Sequence, residues 1–216
     1  MLEVEAMAPD WENLLEDYDT DLADLGVAVF AFDGLVAYLE MVWEENQRIN
    51  LFSRKMEPRV LIEAHLLDSL AALPFLPDVA AVADLGTGGG FPAIPLALCR
   101  PQTRFFLFEK SPQKNRSLRR FESLPLKLEV MGAIPEDGVL PKAVKLVTAR
   151  AFKPIGTMLH LTRPFYEKGG RYMLHKARRE KIDSELAACG ADVKARIQAL
   201  KTYGGAEERH LVWIND

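Results

Sequence analysis

The chain has 216 residues, 49% of them hydrophobic and 27% charged, with a formal net charge of −4. That balance excludes a disordered or low-complexity chain, and no window holds the roughly 18 uncharged apolar residues that span a bilayer. Two cysteines, Cys99 and Cys189, are too few for a disulfide scaffold or a structural zinc site, and neither a metal nor a membrane partner is expected.

No Lys or Arg precedes the first apolar stretch, as a secretory signal would require, so the expected setting is cytoplasmic. Charge is unevenly spread. Residues 1–47 carry 13 acids and no Lys or Arg, which leaves 18 acids against all 27 bases in the remainder. A basic body of this kind suits a phosphate-bearing partner, although a solvated acidic helix face explains the head equally well.

In chain order, helical spacing of Trp11, Leu14, Leu15 and Tyr18 predicts a first helix, and an apolar stripe from Val27 to Ile49 a longer one, weakened at Gly34. A third helix is expected over Pro58–Ala72, ended by Pro74 and Pro77. From Val79 onward, short apolar runs alternate with helical patterns, the signature of βαβ units. Strands are expected at Val79–Leu85, Phe105–Phe108, Lys127–Val130, Lys145–Ala149 and Arg171–Leu174. A closing hairpin of Lys194–Leu200 and His210–Ile214 should turn at Gly204–Gly205. Helices should fill Phe91–Cys99, Pro112–Phe121, Pro154–Phe165 and Arg178–Ala188. The expected fold is α/β and Rossmann-like, a doubly wound and mostly parallel sheet. It divides into an acidic helical extension (residues 1–78) and a cofactor-binding domain (residues 79–216).

The most informative stretch is Asp84-Leu85-Gly86-Thr87-Gly88-Gly89-Gly90-Phe91-Pro92, between a predicted strand and a predicted helix. Glycines there permit positive φ and close approach of backbone to a ligand. A dinucleotide fingerprint would place a third glycine where Phe91 stands. The G-x-G-x-G spacing of Gly86, Gly88 and Gly90, with Asp84 on the strand end, instead resembles the cofactor loop of S-adenosylmethionine-dependent methyltransferases. In such a loop a nearby acid suits the positive charge of a sulfonium amino acid. Glu109, 25 positions after Asp84 and at the end of the second strand, can accept both ribose hydroxyls of an adenosine cofactor, though an ordinary loop carboxylate would look the same.

Further motifs extend the likeness: Asn50-Leu51-Phe52-Ser53, His65-Leu66-Leu67-Asp68-Ser69-Leu70, Ala149-Arg150-Ala151-Phe152 and Glu208-Arg209-His210-Leu211-Val212. In this order and spacing they resemble the RsmG (GidB) family of bacterial 16S rRNA guanine-N7 methyltransferases, from about Ile49 to the C-terminus. The resemblance implies methyl transfer from S-adenosylmethionine to N7 of a guanine, with 16S rRNA or the small ribosomal subunit as partner. It places Gly86 and Phe91 on the methionine and loop side of the cofactor, Ile134 and Pro135 at its adenine end, and Arg150 as the catalytic and cofactor-contacting residue at the mouth of the site. Two departures stand out. The family's acid at the adenine end is replaced within Ala133-Ile134-Pro135-Glu136-Asp137, so either Glu136 supplies it or backbone makes the contact. The usual Leu-Lys-Gly after the fifth strand reads His175-Lys176-Ala177.

Guanine N7 is a free lone-pair acceptor, so its attack needs no deprotonation and catalysis reduces largely to orientation. In agreement, the segment after the fourth strand lacks both an Asn/Asp-Pro-Pro-aromatic motif and a Pro-Cys pair; Cys99 and Cys189 are expected as packing residues. Arg150 could bond guanine O6, bind the cofactor carboxylate, or form a structural ion pair. His65 and Asp68 share a helical face and could brace the site or merely pack helices; Arg209 and His210 are similarly open. Lys110, Lys114, Arg116, Arg119 and Arg120, and Lys176, Arg178, Arg179 and Lys181, form two basic groups suited to phosphates, with a solvated helix face the alternative for each. Phe91, Phe152 and Tyr172 are candidate base-stacking residues, with a core position the alternative for Phe152. The alternatives are a methyltransferase of a small molecule or protein, and a non-catalytic cofactor- or RNA-binding module.

Overall fold

A computed structural model describes residues 8–216. Seven strands form one sheet: β1 (Ala81–Leu85), β2 (Arg104–Phe108), β3 (Lys127–Met131), β4 (Leu146–Arg150), β5 (Arg171–Lys176), β6 (Ala195–Ala199) and β7 (His210–Ile214). Their order is β3-β2-β1-β4-β5-β7-β6, parallel except for β7, which runs antiparallel to both its neighbours and makes the expected hairpin with β6. The order reverses between β1 and β4, and a crevice for ligands opens above the carboxyl ends of strands at such a point. Asp84 and Arg150 lie at those ends.

Strand residues alternate between two cores, because a strand's side chains alternate between faces. Val82, Phe105, Leu107, Leu146 and Met173 face the N-terminal helices; Ala83, Phe106, Val147, Tyr172 and Leu174 face the other side. β1 is buried along its whole length, which explains its unbroken apolar run up to Asp84. Each fully buried Leu or Phe here contributes about 1.5–3 kcal/mol.

The N-terminal stripe forms α1 (Trp11–Glu16), capped by the Asp10 carboxylate on the Asn13 amide, then α2 (Asp19–Asp24) and α3 (Phe32–Arg48). The predicted Val27–Ile49 helix starts later, behind a 3₁₀ turn at Val29–Ala31. Gly34, which weakens the helix on propensity, earns its place by packing: a Cβ there would meet Leu98 Cδ2 at 2.9 Å, so the glycine lets α3 lie against α6 (Ala93–Cys99). The Pro58 helix runs as α4 (Pro58–Leu61), a π-helical stretch (Ile62–Leu67) and α5 (Asp68–Leu70). The remaining helices are α7 (Pro112–Arg120), α8 (Ile155–Leu161), α9 (Arg163–Glu167) and α10 (Arg179–Cys189). One helix was expected where α8 and α9 stand; Pro164, at the start of α9, cannot continue α8.

Residues from α1 to α5 share one hydrophobic cluster with β2, β4 and β7. The acidic head also pairs with bases of the body: Asp17 with Arg59, Asp21 and Asp24 with Lys201, and Glu45 with Arg120. Part of the charge asymmetry is thus satisfied within the molecule, although the exposed pairs contribute only about 0–1 kcal/mol each.

Candidate functional site

The chain leaves β1 after Leu85 and turns sharply, with the Gly86 and Thr87 amides donating to the Phe108 carbonyl at 2.8 and 3.2 Å. Gly86, Gly88 and Gly90 adopt φ of +70°, +59° and +101°, the left-handed region that favours glycine. The three glycines answer to different demands. A Cβ on Gly86 would lie 2.1 Å from the Phe152 ring, and one on Gly90 would lie 2.4 Å from Ile94 Cδ1, so both serve the protein's own packing. Gly88 has only the Gly86 carbonyl oxygen, at 4.0 Å, near the place of a Cβ. Its face is the open one, with backbone left bare.

Glu109, at the end of β2, is buried, and its Oε2 accepts from the Gly88 amide at 3.2 Å while its Oε1 accepts from the Ser111 amide at 2.8 Å. One lone pair on each oxygen remains for hydroxyl donors. The Glu109 amide donates to the Gly132 carbonyl at 3.1 Å, bringing the segment after β3 alongside. In that segment Ile134 packs against the core, Pro135 is exposed, and Asp137 accepts from the Val139 amide at 3.0 Å. Asp137 is thus engaged in its own turn. Glu136 is exposed and makes no hydrogen bond among the described residues.

Asp84 is fully buried, and neither carboxylate oxygen has a partner. Burial raises its pKa to about 7, against the opposing influence of the Thr87 hydroxyl and the Arg150 guanidinium. An orphaned buried carboxyl is costly, and a cationic group brought beside it would offset that cost. An α-ammonium group meets that need. Together, the open face at Gly88, the carboxylate of Glu109 and the unpaired Asp84 fit the amino-acid and ribose parts of S-adenosylmethionine.

Arg150 ends β4 and is gripped from the N-terminal helices. Its Nη1 donates to Asp68 Oδ2 at 2.9 Å and to the Ala64 carbonyl at 3.2 Å, and its Nη2 donates to His65 Nδ1 at 2.9 Å. Since arginine only donates, His65 Nδ1 accepts, which fixes the neutral imidazole with its proton on Nε2. Burial first, then Arg150, pushes the His65 pKa down to about 4, with Asp68 opposing. Asp68 Oδ1 is taken by Arg209 Nε at 2.5 Å. Asp68 therefore clamps two guanidinium groups, and the His65/Asp68 face braces the site as well as packing helices. The ion-pair reading of Arg150 holds, yet the side chain still borders the space above β4 and β5.

That space is a cleft of about 840 Å³, lined by Arg150, Phe152, Lys153, His175, Lys176, Arg178, Lys181, Glu185 and Arg209, among others. Ala151 holds φ +50° at its lip, an uncommon conformation for a residue with a Cβ. The next residue, Phe152, is thereby laid across Gly86, so the cleft adjoins the glycine loop. His175 is buried, its Nε2 has no partner, and burial together with Arg150 lowers its pKa to about 4.

Of the three stacking candidates, only Phe152 is accessible. Phe91 is 6% exposed and sandwiched by Tyr38, His65 and the Arg150 guanidinium; Tyr172 is 0% exposed with its hydroxyl 2.7 Å from Thr162. Phe91 accordingly supports the loop from behind. Cys99 is buried in the core, and Cys189 abuts Gly156. His210 Nδ1 lies 2.7 Å from the Ala177 carbonyl. In the first basic group Arg120 is spent on Glu45 and Arg119 on Glu122 and the Val130 carbonyl. In the second, Lys176 is paired with Glu185 and Arg179 with Asp183, while Arg178 and Lys181 have no ion-pair partner among the described residues. Sequence reasoning missed Tyr38, Lys153 and Glu185; His175 was visible only as a departure from a motif. Among the described residues no helix is long and apolar enough to cross a membrane, and no cluster of three or more His, Cys, Asp or Glu is placed to hold a metal.

Comparison with known proteins gives a consistent result. Ribosomal RNA small subunit methyltransferase G 1 of Bdellovibrio bacteriovorus is 41% identical over 196 residues, covering 88% of this chain and 93% of its own. Among solved structures, cofactor-bound Rv0187 from MTB superposes with a TM-score of 0.56 at 16% identity, covering 97% of this chain and 99% of its own. Aeropyrum pernix fibrillarin with natively bound S-adenosyl-L-methionine gives 0.50 at 15%, covering 67% and 72%. These two share the fold. The family model for GidB, rRNA small subunit methyltransferase G, matches residues 32–212. Since that match runs from the start of α3 into β7, through every element that builds the site, the chain belongs to the GidB family of S-adenosylmethionine-dependent rRNA methyltransferases.

Proposed function

We propose that the protein transfers the methyl group of S-adenosylmethionine to N7 of a guanine in 16S rRNA, free or within the small ribosomal subunit. The observation that carries this reading is an orphaned Asp84 at the switch point beside β4, whose Arg150 borders a basic cleft sized for a nucleotide. S-adenosylmethionine supplies, when bound, an electrophilic methyl on a sulfonium centre. Asp84 holds the α-ammonium group, Glu109 the ribose hydroxyls, and the chain at Ile134 and Pro135 the adenine. Phe152, packed across Gly86, stands at the border of this compartment and the cleft, where its ring offers a face to the acceptor base without closing the line from the methyl to N7. Arg150, fixed by Asp68 and His65, presents its remaining N–H groups at the mouth, where a base oxygen can accept them.

No residue need take a proton before attack, because N7 carries its own lone pair. The neutral state of His65 and His175 fits this division of labour: the site orients and excludes water. Lys153, Arg178 and Lys181 at the rim suit RNA phosphates. The test is incubation with labelled cofactor and small-subunit particles lacking the modification. Label in the rRNA fraction, absent from ribosomal protein, is the expected result; label in protein or in a small molecule alone would refute it.

A further inference from the structure

The cleft beside the glycine loop offers an incoming nucleotide many donors and almost no acceptors. Lys153, Arg178, Lys181, Arg150 and Arg209 can only donate. Two carboxylates line it, and they differ in what they have left to give. Asp68 is consumed on both oxygens, Oδ1 by Arg209 at 2.5 Å and Oδ2 by Arg150 at 2.9 Å. Glu185, its side chain 10% exposed, is anchored through one oxygen: Oε2 accepts from the Ile155 amide at 2.9 Å and from Lys176 Nζ at 2.7 Å. Its Oε1 accepts from no donor among the described residues, and the side chain borders the cleft.

An anchored carboxylate with one free oxygen, in a cleft of cations, is a selective acceptor for a base. Enzymes that act on an extruded base read its Watson–Crick edge by hydrogen bonds and stack its face. Guanine alone among the four bases presents two adjacent N–H donors on that edge, N1–H and the N2 amino group. Adenine places a lone pair at N1 and cytosine one at N3, each of which a carboxylate repels. Uracil has a single N–H between two carbonyls. N7 lies on the opposite side of the purine, so an acceptor on the Watson–Crick edge leaves its lone pair free.

We propose that Glu185 is the residue that selects guanine, accepting through Oε1 from N1–H and the N2 amino group while Phe152 stacks on the base. Lys176 and the start of α8 act on selectivity through Glu185, as positioning groups. The assignment rests on the guanine reading above and adds to it the residue that makes the choice.

The experiment compares small-subunit particles reconstituted with guanosine or with inosine at the methylated position. Inosine lacks only the N2 amino group and keeps N7. The wild-type chain should methylate inosine more slowly by about tenfold or more, the usual scale for a lost bond to a buried polar group. Glu185→Ala should slow guanosine and bring the guanosine-to-inosine ratio close to one. Glu185→Gln, which can still accept from the Ile155 amide and so protects the fold, should lower that ratio severalfold. A merely structural Glu185 would slow both substrates alike and leave the ratio at its wild-type value, which would overturn the assignment. Equal wild-type rates on guanosine and inosine would overturn it as well. Absence of transfer to either particle by the wild-type chain would instead refute the guanine reading itself, and the assignment with it.

Discussion

The Tyr38 hydroxyl donates to the Gly89 carbonyl at 2.8 Å, joining α3 to the middle of the glycine loop. Tyr38 is fully buried, its ring meets Phe91 edge-on, and its hydroxyl also limits the space beside Gly90. Asn46, about two turns further along α3, accepts from the Leu51 and Phe52 amides at 2.9 and 3.0 Å, and Leu51 in turn packs on Gly89. The N-terminal helices are therefore the back wall of the cofactor loop. Tyr38→Phe leaves a carbonyl short of its donor, at a cost of about 1–3 kcal/mol. Its expected signature is a cofactor Kd raised severalfold by calorimetry, with kcat at saturating cofactor unchanged.

The three loop glycines should separate by phenotype. Gly88→Ala adds a Cβ to open space at φ +59°, so it costs only the left-handed strain of about 1–2 kcal/mol. It should fold yet bind cofactor at least tenfold more weakly, since the Cβ enters the ligand's space. Gly90→Ala drives a Cβ to 2.4 Å from Ile94 Cδ1 at φ +101° and should lose more stability than Gly88→Ala. Thermal melting with and without cofactor distinguishes the two.

Asp68→Ala leaves two guanidinium groups without their carboxylate, one of them, Arg150, only 16% exposed. Removing one partner of a buried pair costs about 3–5 kcal/mol. Urea denaturation should show a loss in that range, larger than for Arg209→Ala, which leaves the Asp68–Arg150 bond in place.

Asp84 and the two histidines pull stability in opposite directions with pH. Asp84 is raised from 3.8 to about 7 by burial, so its contribution is full below pH 3.8 and is lost as pH rises through 7. His65 and His175 are lowered from 6.5 to about 4 by burial, so theirs is full above pH 6.5 and is lost as pH falls through 4. Asp84→Asn removes the first dependence and keeps the second. Relative to wild type its stability should therefore climb between pH 4 and 7, by about 1 kcal/mol per pH unit. Wild-type cofactor affinity should fall on acidification from pH 7 to 5.5, because the ammonium group needs an ionised Asp84, and the Asn variant should lose most of that dependence.

Much of the sheet could be read from the sequence because apolar β-runs such as Phe105–Phe108 mark themselves locally. The placement of the glycine loop and Glu109 at neighbouring strand ends could be read because the motif and its spacing sit on two adjacent parallel strands. What stayed hidden depends on contacts distant in the chain. Tyr38 reaches Gly89 across 51 positions, Asp68 reaches Arg150 across 82 and Arg209 across 141. In the sequence Tyr38 is one more apolar residue of a helix stripe. Among the stacking candidates the sequence points to Phe152 as the one that could be core, whereas Phe91 and Tyr172 are buried and Phe152 is partly exposed, since aromatic character says nothing about which ring the tertiary packing leaves accessible. Gly34 was misjudged for the same reason: its propensity is local, whereas the contact with Leu98 that requires it is not.

The most direct measurement is identification of the methylated nucleoside after transfer from labelled S-adenosylmethionine to undermethylated small-subunit particles, by digestion and mass spectrometry. Recovery of the label as 7-methylguanosine, strongly reduced by Gly88→Ala, is the expected result. Recovery on a base nitrogen other than N7, on a base carbon or on ribose would contradict it.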